Sequence, residues 1–223
     1  MSNEWSVLVS HYENCFEQHG ASPKGADWPN GPDLQARFAV LLSILDGAPL
    51  GTLPVLLDVG CGCGLLLDYL QAAGRLDQVD YRGIDLSPSL VREAKARWPQ
   101  HDFSVRDLSA DPLPDNSVDF IVMNGVLTEK VSLPQETMVR MAEALIVAAF
   151  RVARIGIAFN VMSKHVDWER DDLFHWSFDE LGAFLTARVS RHYAFRADYG
   201  TYEYMALVWR RSQRPVILNG LSW

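Results

Sequence analysis

The residues best suited to chemistry are a glycine loop and a series of polar side chains spaced along the chain after it. Val55-Leu56-Leu57-Asp58-Val59 leads into Gly60-Cys61-Gly62-Cys63-Gly64, three glycines at alternate positions. An apolar run of this length fits a strand buried on both faces of a parallel sheet. The glycines let the backbone turn sharply and approach a ligand with no Cβ in the way. Leu65, Leu66, Leu67, Tyr69 and Leu70 then read as a helix packed on that sheet. Strand, glycine turn and helix N-terminus together make a ligand cradle at the carboxyl edge of a sheet. Asp85, Asp107 and Asn124 follow at the expected ends of the next three strands. Asp85 is an acceptor pair suited to two adjacent hydroxyls, and Asp107 can accept from an amino group. Asp58 lies inside the apolar strand and needs partners, which the loop amides would supply.

These residues need elements to hold them. Gln78–Leu86 reads as a second strand, and Ser87-Pro88 starts a helix with Ser as N-cap and Pro in its first turn; Pro99 stops it. Phe103–Val105 and Val118–Met123 are the third and fourth strands, separated by a loop rich in Pro, Asp and Asn. Met138, Met141, Ala142, Leu145, Ala149 and Val152 recur at helical spacing, and Ile155–Phe159 is a fifth strand. Ser177-Phe178-Asp179-Glu180 has capping-box form. Two last strands, around 192–195 and 202–209, follow with no helix between them, which predicts an antiparallel pair at one edge. The pattern predicts an α/β fold: a doubly wound, Rossmann-like, seven-stranded and mostly parallel sheet with an antiparallel edge strand. Residues 1–50 form an N-terminal helical cap or lid, with an amphipathic helix beginning near Asp33. The segment from Tyr12 to Trp28 shows no clear period, and its tip is expected to fold over the sheet edge. Residues 51–223 form the main domain, with a substrate-side insertion near 160–177.

The loop does not fit a dinucleotide fingerprint, whose third glycine would fall at Leu65. With Asp58 two residues ahead, it resembles motif I of the class I S-adenosylmethionine-dependent methyltransferases. Asp85-Leu86-Ser87-Pro88 is similar to that family's acidic motif. Asp111-Pro112-Leu113-Pro114-Asp115-Asn116-Ser117-Val118-Asp119-Phe120 is similar to its LPxPDNSFD segment, departing at Asp111 and Val118. The resemblance covers 55–127 by motif and extends to about Trp209 by element order. It implies S-adenosylmethionine as cofactor, S-adenosylhomocysteine as product, and a small-molecule acceptor methylated on oxygen or nitrogen. It also implies a cofactor site made by Asp58, Gly60, Cys61, Gly62, Gly64, Asp85, Leu86, Asp107, Leu108 and Asn124. In it Asp85 binds the ribose hydroxyls, Asp107 the adenine amino group and the Leu108 amide a ring nitrogen, while Asn124 lies beneath the sulfonium or caps a turn with Gly125.

A hydroxyl acceptor needs a base. His165, just after the fifth strand, is the first candidate, with His175 and His11 behind it. Tyr12, Trp28, Trp168, Phe174 and Trp176 pack the core and lid or wall a pocket. Arg37 is expected on the polar side of the cap helix, solvated or reaching a cofactor carboxylate.

Bulk properties narrow the classes. A chain of 223 residues with 48% hydrophobic and 22% charged residues suits a single globular domain with additions. The net charge of -8 and the lack of a dense basic run argue against nucleic-acid binding. No apolar stretch spans a bilayer, and the first residues lack the form of a signal peptide, so no membrane and a cytoplasmic location are expected. Cys61 and Cys63 lack metal-site spacing, and no metal is expected. The state is expected to be monomer or homodimer, with the apolar tail 215–221 and Trp223 as a docked end or a dimer contact. Two other classes are a non-catalytic methyltransferase-like scaffold and a nicotinamide oxidoreductase.

Overall fold

The computed structural model describes residues 5–49 and 51–213; the tail 215–221, Trp223 and the first four residues lie outside the described part. Seven strands form one sheet in the order β3-β2-β1-β4-β5-β7-β6. They are β1 (Val55–Val59), β2 (Asp80–Asp85), β3 (Asp102–Val105), β4 (Val118–Leu127), β5 (Ala153–Met162), β6 (His192–Arg196) and β7 (Glu203–Trp209). β1 to β5 pair in parallel, whereas β7 runs antiparallel to both β5 and β6. The predicted fold class holds, with the antiparallel strand one place in from the edge.

Alternate strand residues feed two cores. On one face Leu57, Ile121 and Ile157 meet Met138, Met141 and Leu145 of α5 (Gln135–Val152) and Leu181 and Leu185 of α6 (Phe178–Arg188). On the other, Leu56, Phe120 and Ala158 meet Leu34 and Phe38 of α2 (Gly31–Leu41) and Leu66 and Leu70 of α3 (Leu65–Ala72). Val91 and Ala94 of α4 (Pro88–Arg97) join that second face. Burial on both faces is why these strands read as continuous apolar runs. Ser87 caps α4 through the Leu90 amide, and Ser177 and Glu180 form a complete capping box on α6.

Three segments differ from expectation. The aperiodic stretch contains most of α1 (Trp5–His19), which buries fully only Trp5 and Leu8; so little of its surface is buried that no stripe shows. α2 starts at Gly31, because the Asn30 side chain accepts the Asp33 amide at 2.8 Å and Pro32 fits the first turn. β4 and β5 run longer than predicted, so Asn124 and Asn160 are strand residues. Met123 pairs with Phe159 and Leu127 with Val161, a two-residue bulge in β4 that accommodates Asn124 and Gly125.

Candidate functional site

The carboxyl ends of β1, β2 and β4 converge on the glycine loop. The Gly60 and Cys61 amides both donate to the Ile84 carbonyl, at 2.8 and 3.1 Å, tying the loop to β2. Gly60 has φ +77°, and a Cβ there would lie 2.4 Å from the Val126 side chain, so only glycine fits. Gly64, with φ +86°, closes the loop and starts α3. Cys61 faces the core, where its side chain touches Gly83, while Cys63 and Gly62 line the cavity beyond the loop. Both cysteines are free and buried.

Asp85 is held between two amides: Gly62 donates to Oδ2 at 2.8 Å and Ser87 to Oδ1 at 2.9 Å. Burial pushes its carboxyl up, and these amides oppose the shift. Each oxygen keeps a lone pair for a ligand. Asp58 departs from expectation. Its partner is the Tyr81 hydroxyl, which donates at 2.7 Å, because the Gly62 amide is already taken by Asp85. Buried at 4% exposure, the Asp58 carboxyl is pushed up to about 7; Tyr81 opposes the shift and Asp85 adds to it.

Asp107 does two things at once. Its Oδ1 accepts the Ser109 and Ala110 amides at 3.0 and 3.3 Å, an ordinary turn, while Oδ2 is buried without a partner. Asn124 Oδ1 is likewise buried and unpartnered. Both residues line one cavity with Asp85, Leu86, Leu108 and Gly60.

The cap roofs this cavity. Trp5, Leu8, Tyr12 and Trp28 complete its lining. Tyr12 donates its hydroxyl to the Gly125 carbonyl at 3.0 Å. Ser87 and Ser89 both donate to Glu13 Oε1, the latter at 2.8 Å, fastening α1 to the start of α4. Arg37 is neither solvated nor turned toward this cavity: at 8% exposure it stacks on Trp28, 4.2 Å from the ring centroid, and donates Nε to Glu203 Oε1 at 2.7 Å.

A second cavity adjoins across Trp28, which lines both. Its walls come from the cap, the end of β4, the segment after β5 and the approach to β7; they include Glu129, Arg37, Trp168 and His175. Phe174 and Trp176 are core residues. His165, the first candidate base, is exposed, packs on Phe178 and lines neither cavity. His11 pairs with Asp27 at 2.7 Å. His175 is buried, its Nδ1 2.6 Å from the Ser163 carbonyl and its Nε2 accepting the Arg170 amide at 3.3 Å, so both ring nitrogens are occupied. Glu129, two residues past β4, is the group the sequence reading missed. Burial pushes its carboxyl to about 7, with Asp27 adding to the rise and His11 opposing it. The available signal was an acidic residue just beyond a strand's carboxyl end.

Known proteins place this geometry. A family model described as a methyltransferase domain matches residues 56–147. The Mycobacterium tuberculosis protein Rv1506c, provisionally named a methyltransferase, is 32% identical over 157 residues, covering 70% of this chain and 92% of that protein. Magnesium protoporphyrin IX methyltransferase from Synechocystis, solved with bound S-adenosylmethionine, superposes with TM-score 0.64 at 16% identity, over 95% of this chain and 99% of that one. The Burkholderia thailandensis 1,6-didemethyltoxoflavin N1-methyltransferase, solved with its substrate and S-adenosylhomocysteine, gives 0.62 at 16% identity, over 93% and 88%.

Proposed function

Because this chain belongs to the class I S-adenosylmethionine-dependent methyltransferases, we propose that it methylates an oxygen or nitrogen of a small molecule held in the second cavity. The cofactor would then occupy the first. The observation that carries this is that Asp107 and Asn124, each with a buried, unpartnered oxygen, line one cavity with the amide-held Asp85. Unpaired polar atoms out of water are costly, and a ligand rich in donors relieves them.

The residues present fit an adenosyl group with an amino-acid tail. Asp85 offers two fixed oxygens to the ribose hydroxyls, with Leu86 packed beside it. Asp107 Oδ2 accepts from the adenine amino group next to Leu108. Gly60, Cys61, Gly62 and Gly64 give the close backbone approach, and Asp58 holds β2 to β1 behind them through Tyr81. Asn124 accepts from the ammonium end. When bound, the cofactor would supply a methyl group already activated by its sulfonium, with the sulfur keeping the electron pair of the carbon–sulfur bond. The chain's own work is alignment, exclusion of water by the cap, and acceptance of a proton where the acceptor must lose one. Glu129 suits that last role, since it lines the second cavity and its carboxyl lies near neutrality. Residues 1–50 act as the lid, 51–223 as the catalytic domain, and the segment around 160–177 as an acceptor wall. Among the described residues no helix is long and apolar enough to cross a membrane.

Calorimetric titration with S-adenosylmethionine and S-adenosylhomocysteine tests this reading. Micromolar binding, about -8 kcal/mol, that is lost in Asp85→Ala is the expected result. No binding of either compound would sink the assignment and move the scaffold reading to the front.

A further inference from the structure

The second cavity has a marked charge and one waiting donor. Four carboxylates line it, Asp27, Asp33, Glu129 and Asp167, against the guanidiniums of Arg37 and Arg170. Both guanidiniums already have carboxylate partners: Arg37 meets Glu203 at 2.7 Å, and Arg170 Nε meets Asp172 at 3.0 Å. Of the carboxylates, Asp27 also faces His11. The excess is negative, and it disfavours a carboxylate or phosphate ligand while favouring a cation. Trp168 and Tyr202, both largely exposed, stand at the chamber wall and add aromatic surface to which a cation is drawn.

The waiting donor is Arg37 Nη1. The side chain is nine-tenths buried, and Nη1 has no hydrogen-bond partner. Its charge is already balanced by Glu203, to which Arg37, Asn160 and Tyr199 all donate. Nη1 therefore calls for an acceptor atom and not for a second anion. A neutral oxygen is enough.

We infer that the acceptor is an amine that also carries a neutral oxygen, its nitrogen at the Glu129 and Asp27 side of the chamber and its oxygen on Arg37 Nη1. This rests on reading the second cavity as the acceptor chamber. An amine enters as the ammonium ion, attracted by the carboxylates. It sheds one proton to the Glu129 carboxylate, which frees the lone pair for the methyl carbon, and the proton passes on to solvent. Glu129 suits this because it lines the chamber and burial, with Asp27 beside it, holds its carboxyl near neutrality.

Three probes of similar size separate the features: tyramine, 2-phenylethylamine and 3-(4-hydroxyphenyl)propanoate, each titrated into protein saturated with S-adenosylhomocysteine. Tyramine should bind at least tenfold tighter than the acid and several-fold tighter than the amine lacking oxygen. Arg37→Lys, which keeps the charge opposite Glu203 but removes Nη1, should erase the preference for the oxygen. Glu129→Gln should erase most of the preference for amine over acid. S-adenosylhomocysteine affinity should stay unchanged in both variants, which shows that they fold. Equal or tighter binding of the acid, or no binding of any probe to the saturated protein, would overturn the inference and leave the cofactor assignment standing. Failure of S-adenosylhomocysteine itself to bind would remove both.

Discussion

Trp28 stands directly against Gly125: a Cβ at Gly125 would lie 2.8 Å from the indole Cζ2. The contact seats the cap against β4, and Arg37 stacks on the same ring, 4.2 Å from its centroid. Gly125 also has φ +80°, a conformation that L side chains rarely adopt. Gly125→Ala should therefore cost about 1–2 kcal/mol in backbone strain and push the indole off its seat. We expect a lower melting temperature together with roughly tenfold weaker S-adenosylhomocysteine binding. A drop in stability with unchanged affinity would mean that the seat of Trp28 does not shape the site where S-adenosylhomocysteine binds.

Asp58 gives a pH signature. Its carboxyl moves from an ordinary 3.8 to about 7 in the folded protein. The folded chain thus binds more protons than the unfolded chain across that window. Its contribution to stability is full below the unfolded value and is lost as pH rises through about 7. Asp58→Asn keeps an acceptor for the Tyr81 hydroxyl and carries no charge. It should be more stable than the parent at pH 8, by up to about 4 kcal/mol, with the gap closing toward pH 4. Urea unfolding at four pH values would show this, and parallel pH profiles for the two proteins would exclude Asp58 as the source.

The parts that could be read from sequence are those where a local rule and the tertiary structure agree. Ser87-Pro88 and Ser177 to Glu180 form the caps they spell, and the apolar runs of β1 and β4 are buried on both faces. The alternate glycines mark the turn that their backbone makes, and Asp107 and Asn124 line the same cavity as Asp85. What could not be read depends on long-range pairing. Arg37 looks like a solvated residue of an amphipathic helix until Glu203, 166 positions away, is placed against it. Tyr81 claims Asp58 only because β1 and β2 pair side by side. Glu129 has a near-neutral carboxyl because folding buries it and brings Asp27 of the cap close, neither of which a local pattern encodes. His165 shows the converse. Its place after a strand's carboxyl end suits a base, yet the segment that follows turns it to solvent beside Phe178.

Glu13 should control how the cap opens. Its carboxylate accepts from Ser87 and Ser89, and the Ser87 hydrogen bond holds its carboxyl below the usual range. The latch therefore persists above the ordinary glutamate range and lets go as pH falls through the folded value. Glu13→Ala should cost the fold little, about 1 kcal/mol, while releasing α1 from α4. Hydrogen exchange in residues 5–19 should speed up, and S-adenosylhomocysteine should dissociate faster. Unchanged exchange there would show that the aromatic contacts of Trp5 and Trp28 hold the cap without the latch.

Asn160 links Gly125, which lines the first cavity, to Glu203, the partner of Arg37 in the second. Fully buried in β5, it accepts the Gly125 amide through Oδ1 at 2.8 Å and donates Nδ2 to Glu203 Oε2 at 2.9 Å. Gly125 of the first cavity is thus tied, through one amide side chain, to the carboxylate that holds Arg37 at the wall of the second. Asn160→Leu would leave a buried amide and a buried carboxylate oxygen without partners, a loss of roughly 2–5 kcal/mol. Asn160→Asp separates shape from charge. Protonated, the new carboxyl can still accept from Gly125 and donate to Glu203. Ionised, it faces the Glu203 carboxylate with no proton between them, so folding raises its protonation range. Stability of this variant should approach the parent near pH 5 and fall steadily toward pH 8, the sense required when the folded state holds the extra proton. Thermal unfolding across that range checks the sign. A variant equally destabilised at every pH would mean that Asn160 serves there by shape alone and that Glu203 does not need its donor.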